Sequence, residues 1–175
     1  NKPILAILFD MNRLFEKFIY RMLKKEEKAY SEYDLFITQQ NSQEFWKDKT
    51  IRPDLIIEFK KSENETDVYY KFIVDTKWKV IASEDPSNDD LKQMFTYNIQ
   101  FGSLRSILFY PSVGQKNTGC TSYEKSFLNI ETHGCELYFA DLFQDNQLSD
   151  IFASAFIDYL ITGKNQHLGP AFSDP

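Results

Sequence analysis

The stretch Phe72–Ile81, FIVDTKWKVI, decides how this chain is read. Its β-branched and aromatic residues make it a buried strand. Yet Asp75 and Lys77 stand in its middle, and Lys79 follows directly. A buried charge is costly unless it is paired or binds a metal. Alternate residues of a strand share a face. Phe72, Val74, Thr76, Trp78 and Val80 therefore point one way, and Lys71, Ile73, Asp75, Lys77 and Lys79 the other. The expected arrangement is one core face and a second face that floors a cleft.

The strand before it supplies a second carboxylate. Ile51–Phe59 reads as a strand with Pro53 near its start, where a missing N–H is tolerable. Asp54 shares a face with Arg52, Ile56 and Glu58, opposite Pro53, Leu55, Ile57 and Phe59. If the two strands pair, Asp54 and Asp75 converge beside Lys77. Two convergent carboxylates repel unless a cation lies between them. A hard divalent ion such as Mg²⁺ takes a few carboxylates, keeps water ligands and meets phosphate oxygens. A neighbouring lysine can orient or deprotonate the attacking water, and these parts together suit in-line attack on a phosphodiester. The competing reading is a salt-bridge cluster on a half-exposed sheet.

Outward from this pair, the order is helix, three strands, helix, strand, then additions. Asp10 or Asn12 caps a helix over Met11–Lys28, with an apolar stripe of Leu14, Phe15, Phe18, Ile19, Met22 and Leu23. Glu16 sits at the edge of that stripe, where it can look into a cleft. Tyr33–Gln40 reads as the first strand, QNSQEFWKDKT as a loop and KKSENETD as a hairpin connection. The third strand runs Tyr69–Ile81. Ser87 and Asp90 open a helix over Asn88–Phe101, whose apolar side is Leu91, Met94, Phe95 and Ile99. Gln93 and Tyr97, four apart, lie together on the other side, free to contact DNA or steady the site. Leu104–Tyr110 is a strand stopped by Pro111. FLNI and CELYF read as short strands, and Leu148–Ile161 as an amphipathic helix. A strand–helix–strand step makes a right-handed parallel crossover, and the earlier strands form an antiparallel meander. The fold class is α/β, a mixed sheet flanked by helices, in one domain over residues 1–162 with a loose tail over 163–175.

Composition limits the alternatives. A 42% hydrophobic share and a 16% aromatic share suit a folded domain. No apolar run approaches the ~20 residues that span a bilayer, and PILAILF lacks a cleavage site for export, so a cytoplasmic location is expected. The chain begins with Asn, as a piece of a longer protein would. Cys120 and Cys135 show no CxxC spacing and are expected as buried free thiols; His133 and His167 have no metal-ligand spacing. The net charge of −6 looks wrong for a nucleic-acid binder. It belongs to one segment: residues 131–175 hold seven acids and one base, while residues 1–130 hold 19 of each. Without a dominant basic patch, DNA affinity from this chain alone is expected to be modest.

Arg52-Pro53-Asp54 followed by Asp75-Thr76-Lys77 resembles the PD-(D/E)xK nuclease signature, and Gln93-Met94-Phe95-Thr96-Tyr97 resembles the QxxxY motif of its RecB-like branch. More narrowly, MNRLFEKFI, RPDLII with IVDTKWK, and LKQMFTYNIQFG before a strand ending in YP look like the McrC nuclease subunit of McrBC restriction systems. The likeness covers about residues 9–111 in order. It implies a restriction-endonuclease-like core and a DNA endonuclease directed at modified cytosine. Asp54, Asp75 and the backbone carbonyl of Thr76 would be metal ligands. Lys77 would position the water, Glu16 would complete the acidic site, in part through water, and Gln93 and Tyr97 would support the site and the scissile strand. Mg²⁺ would be the cofactor, with Mn²⁺ as a substitute. McrC proteins act with McrB, an AAA+ GTPase; no GxxxxGK[ST] run occurs here, so GTP would be handled by that partner. The N-terminal region that engages McrB is missing from the resemblance, which implies a C-terminal nuclease domain. Two other readings stay open: a RecB-like exonuclease or repair nuclease without a GTPase, and a nuclease-fold scaffold that binds DNA or protein without cutting.

Overall fold

The computed structural model describes residues 9–63, 65–81, 85–124 and 132–163. The first helix, α1 (Met11–Glu26), starts where the Asp10 side chain accepts a hydrogen bond from the Arg13 N–H, 3.1 Å away. Three short strands follow: β1 (Phe36–Gln39), β2 (Gln43–Trp46) and β3 (Lys49–Ile51). The two long ones are β4 (Leu55–Glu63) and β5 (Thr66–Thr76). After them come α2 (Asn88–Phe101), β6 (Arg105–Pro111), β7 (Thr121–Ser122) and β8 (Gly134–Ala140). A small hairpin of β9 (Phe143–Gln144) and β10 (Gln147–Leu148) leads into α3 (Ile151–Thr162).

One six-stranded sheet runs in the order β1-β4-β5-β6-β8-β7. The expected meander is present: β1 with β4 and β4 with β5 are antiparallel, in the register Leu55↔Val74 and Ile57↔Phe72. The expected crossover is also present. α2 carries the chain from β5 to a parallel β6, with Phe72 across from Arg105 and Thr76 across from Phe109. α2 has the bounds read from the sequence because its ends are marked chemically. The Ser87 hydroxyl accepts from Asp90 N–H at the start, and Gly102 takes φ 62° at the end, where a side chain would be strained.

The expected division into a core face and a cleft face is corrected. Both faces of the sheet are core. Phe72, Val74, Leu55 and Ile57 pack under α1 and α3, while Ile56, Ile73 and Leu108 pack under α2. A parallel strand covered by helices on both sides reads as a near-continuous apolar run; β6 is such a strand, and the end of β5 beside it is buried on both faces as well. The polar cleft is confined to one end of the sheet, where β5 ends and β4 begins.

Other boundaries also move. β5 stops at Thr76, so Lys77, Trp78 and Lys79 lie past the strand. The loop expected over QNSQEFWKDKT is the β2–β3 hairpin, and β4 and β5 extend through most of KKSENETD. Leu14 and Ile99 are exposed instead of buried. α3 starts later than expected and is apolar nearly throughout, burying Phe152, Ala153, Phe156, Ile157, Leu160 and Ile161. CELYF lies in β8; FLNI and the tail beyond Gly163 fall outside the described residues. Cys120 and Cys135 are free thiols, as expected, but only Cys135 is buried and Cys120 is partly exposed. Among the described residues no helix is long and apolar enough to cross a membrane.

Candidate active site

The antiparallel register builds the site. Leu55 faces Val74, so one step further the chain sets Asp54 beside Asp75 at the end of the β4–β5 ladder. Asp54 Oδ2 accepts from the Thr76 N–H and the Thr76 hydroxyl, both at 2.7 Å. Asp75 is buried and lies 2.7 Å from Lys77 Nζ. Although Lys77 is past the strand, its N–H still donates to the Phe109 carbonyl at 2.9 Å, which holds it in line with β6. The expected convergence of Asp54, Asp75 and Lys77 is therefore present.

α2 closes the site from the sheet face. Lys77 Nζ donates to Gln93 Oε1 at 3.0 Å, Gln93 Nε2 donates to the Tyr97 hydroxyl at 2.8 Å, and that hydroxyl donates to the Arg52 carbonyl at 2.9 Å. The relay ties the lysine to the loop that carries Asp54. Tyr97 corrects an expectation. Helical spacing sets it opposite the apolar side of α2, yet it is buried with Met94 and Phe101. Its ring is core and only its hydroxyl serves the site. Glu16 reaches the same cleft from α1, held through Oε1 by the Gln39 and Gln40 amides at 3.1 and 2.6 Å. The cleft encloses about 750 Å³, and Arg13, Arg52 and Lys79 also line it.

Burial and charge set the protonation states. Burial, and then the Asp75 carboxylate, push Asp54 up to about 7 against the two Thr76 hydrogen bonds. Burial also raises Asp75, with the Lys77 ammonium opposing. Burial works against the Lys77 charge, but Asp75 and Asp90 outweigh it and its pKa is raised. In the metal-free protein Lys77 is thus a cation at neutral pH, able to donate hydrogen bonds.

A model of the McrBC 5-methylcytosine restriction system component family matches residues 1–111. The chain belongs to that family. Among solved structures, it resembles a chain of the refined half-complex from the tetradecameric assembly of Thermococcus gammatolerans McrB AAA+ hexamers with bound McrC. The TM-score is 0.56 at 16% identity, over 89% of this chain and 34% of that one. At this identity the likeness speaks for the fold alone, and the chain spans about a third of the length of that relative, 34%. No curated protein matches the chain.

In this McrBC-family chain Asp90 joins the site without having been expected there, as do the cleft-lining Arg13 and Arg52. Asp90 was assigned to a helix cap, yet its Oδ1 lies 3.0 Å from Lys77 Nζ and its Oδ2 2.6 Å from Lys79 Nζ. Burial opposes its charge, but Lys79, Ser87 and Lys77 hold its carboxyl down at about 2. Its spacing from Ser87 explained it fully as a cap, which left no sequence signal for the second role. Among the described residues no three His, Cys, Asp or Glu side chains gather closely enough to cage a metal. The donor set at hand is two carboxylates and the Thr76 carbonyl. It fits a hard ion that binds one or two carboxylates and fills its shell with water and phosphate. Burial is the main cause that raises the pKa of both Asp54 and Asp75, and the Asp75 charge adds to it at Asp54.

The relay predicts a separation between ring and hydroxyl. Tyr97→Phe keeps the buried ring and removes the link to Arg52. The expected loss of stability is about 1 kcal/mol, one hydrogen bond, and under the nuclease reading proposed below cleavage would fall about tenfold because the Asp54 loop loosens. Comparable melting and unchanged nicking by Tyr97→Phe would show that the hydroxyl is incidental.

Proposed function

We propose that this chain is a metal-dependent DNA endonuclease unit of PD-(D/E)xK type, within a modification-directed restriction system. The observation that carries the reading is Asp54 beside Asp75 at the end of the β4–β5 ladder, with Lys77 2.7 Å from Asp75. Asp54, Asp75 and the Thr76 carbonyl would hold Mg²⁺ or Mn²⁺, with Glu16 contributing through water. The ion would supply neutralisation of phosphate charge and Lewis acidity. Lys77, fixed by Gln93 and Asp90, donates to the attacking water and to charge developing on the phosphate. Arg13, Arg52 and Lys79 meet the backbone phosphates along the cleft.

The T. gammatolerans relative is an assembly of McrB AAA+ hexamers with bound McrC. By the same reading this chain works with an McrB-like AAA+ partner, which handles GTP and chooses the site. The test is plasmid nicking: cleavage that needs a divalent cation and is lost in Asp75→Asn supports the reading. A wild-type protein that never nicks with its partner, GTP and metal sinks it.

The Asp54 pKa gives a second check. Its folded value is raised from 3.8 to about 7. In the metal-free protein its stabilising contribution is complete below pH ~4 and is lost as pH rises through ~7. A cation binds the ionised form, so binding releases a proton below pH 7. Mn²⁺ affinity should fall about fivefold from pH 7 to pH 6, and saturating Mn²⁺ should raise the melting temperature more at pH 8 than at pH 6. Calorimetry reads the first and thermal melts the second. Equal affinity at both pH values, or undiminished binding by Asp75→Ala, would remove the carboxylate pair from the metal site.

A further inference from the structure

The β2–β3 hairpin pairs with itself and not with the main sheet. Every side chain from Gln43 to Thr50 is exposed. Phe45 is 49% and Trp46 60% accessible. A lone two-stranded hairpin is marginal in water, and two large aromatic rings on one are a surface awaiting a ligand. The register slips between Glu44 and Trp46, leaving Phe45 unpaired. Such bulges re-aim side chains and gather beside active sites.

The root of the hairpin is the cleft itself. Gln40 N–H donates to the Asp54 carbonyl at 3.0 Å, closing its base. Gln40 and Arg52, the residues at its two feet, both line the cleft. From there the hairpin projects about 13 Å, four residues at strand rise. Cations follow its two aromatics: Lys47 Nζ lies 4.9 Å over the Trp46 ring, and Lys49 stands beyond the turn, 3.7 Å from exposed Asp48. Arg52, at one foot of the hairpin, is itself one of the cleft's cations, with Arg13 and Lys79. Exposed aromatic faces beside lysines suit a single-strand contact, in which rings stack on bases and cations follow phosphates. A protein-binding hairpin would instead present a contiguous apolar face.

We infer that the β2–β3 hairpin is a DNA-gripping arm, in which Trp46 stacks on an unpaired base next to the cleft and Lys47 and Lys49 contact the flanking phosphates. The inference rests on the nuclease reading of the cleft and adds to it a preference for locally opened DNA.

The test uses the full-length protein carrying Asp75→Asn, so that nothing is cut. The probes are a fluorescein-labelled 30-mer single strand and the matched duplex, read by anisotropy at low salt. Trp46→Ala should weaken single-strand binding about tenfold or more, leave the salt slope unchanged because no phosphate contact is lost, and leave the melting temperature in place. Trp46→Phe should recover most of the affinity. Tyr69→Ala, an equally exposed ring on β5, should change nothing. Equal binding by Trp46→Ala and its parent overturns the inference alone. So does a Trp46→Ala protein that binds DNA normally but loses its AAA+ partner, which gives the hairpin to a protein contact. A parent that binds neither probe overturns the arm, whereas the nuclease reading falls only if the wild type also fails to nick with its partner, GTP and metal.

Discussion

Lys77→Ala is expected to lose cleavage by about two to three orders of magnitude while the protein stays folded. Removing one positioned donor to a developing oxyanion costs about 3–4 kcal/mol. Lys77 is such a donor by geometry: Asp75 at 2.7 Å, Asp90 at 3.0 Å and Gln93 at 3.0 Å fix its ammonium from three sides. The three acceptors survive its loss for separate reasons. Asp90 keeps Lys79 at 2.6 Å. Gln93 keeps Tyr97. Asp75 loses the charge that opposes its burial, so its pKa rises further and it takes a proton. That neutral form removes an uncompensated buried charge, and the melting temperature should move by only a few degrees. It also weakens Mn²⁺ binding near neutral pH. Nicking and thermal melts on one preparation separate the outcomes. Near-normal nicking would make Lys77 a mere ion-pair partner, and a collapsed melting curve would make it structural. Lys77→Arg should not rescue, because a planar fork cannot take the place of a compact ammonium held by three acceptors.

The central meander and the crossover were legible because their signals are local. Alternation over Leu55–Phe59 and Phe72–Thr76 fixes which residues share a face, and that alone set Asp54 and Asp75 together. The ends of α2 are written in Ser87 and Gly102. What the sequence concealed depends on contacts between distant residues. Alternation assigns the face of Ile73 and Asp75 but does not say that α2 will cover Ile73 and leave Asp75 at the rim. Tyr97 could be read as surface because its ring and hydroxyl have different fates, and periodicity describes only the ring. The β2–β3 hairpin carries no turn signal of the Asn-Gly kind; Lys47 turns it at φ 49°, an uncommon conformation for lysine. α3 read as amphipathic because its partly polar start at Leu148–Asp150 was counted into the helix, whereas those residues belong to the preceding hairpin and cap.

Glu136→Ala should be the most destabilising single change on the face away from the cleft. Glu136 is fully buried on β8, and its Oε2 lies 2.8 Å from Arg105 Nη2 on the parallel neighbour β6. Tyr159 of α3 donates to the same oxygen at 3.0 Å. Burial raises the Glu136 pKa and Arg105 opposes it. Truncation leaves a buried guanidinium with no counter-ion, and breaking such a pair costs about 3–5 kcal/mol. For a chain of this size that lowers the melting temperature by about 10 °C. Arg105 Nε and Glu136 Oε1 have no hydrogen-bond partner even in the intact pair, so the pair itself is a poor stabiliser. Arg105→Met combined with Glu136→Leu should therefore melt within a few degrees of the parent. Tyr159 keeps the Thr118 carbonyl at 3.3 Å when the carboxylate goes. The pair's worth lies in register. Arg105 sits across from Phe72, with its guanidinium 5.0 Å over that ring, and a one-residue slip of β8 would turn Glu136 to the α2 face. The same β5–β6 register sets the Phe109 carbonyl that receives the Lys77 N–H. The apolar runs on both strands hold that register as well, so the double variant should still nick DNA. If it melts as low as Glu136→Ala, the charge pair is a net stabiliser; an undiminished melting temperature with lost nicking would mean that the pair alone selects the register on which the site depends.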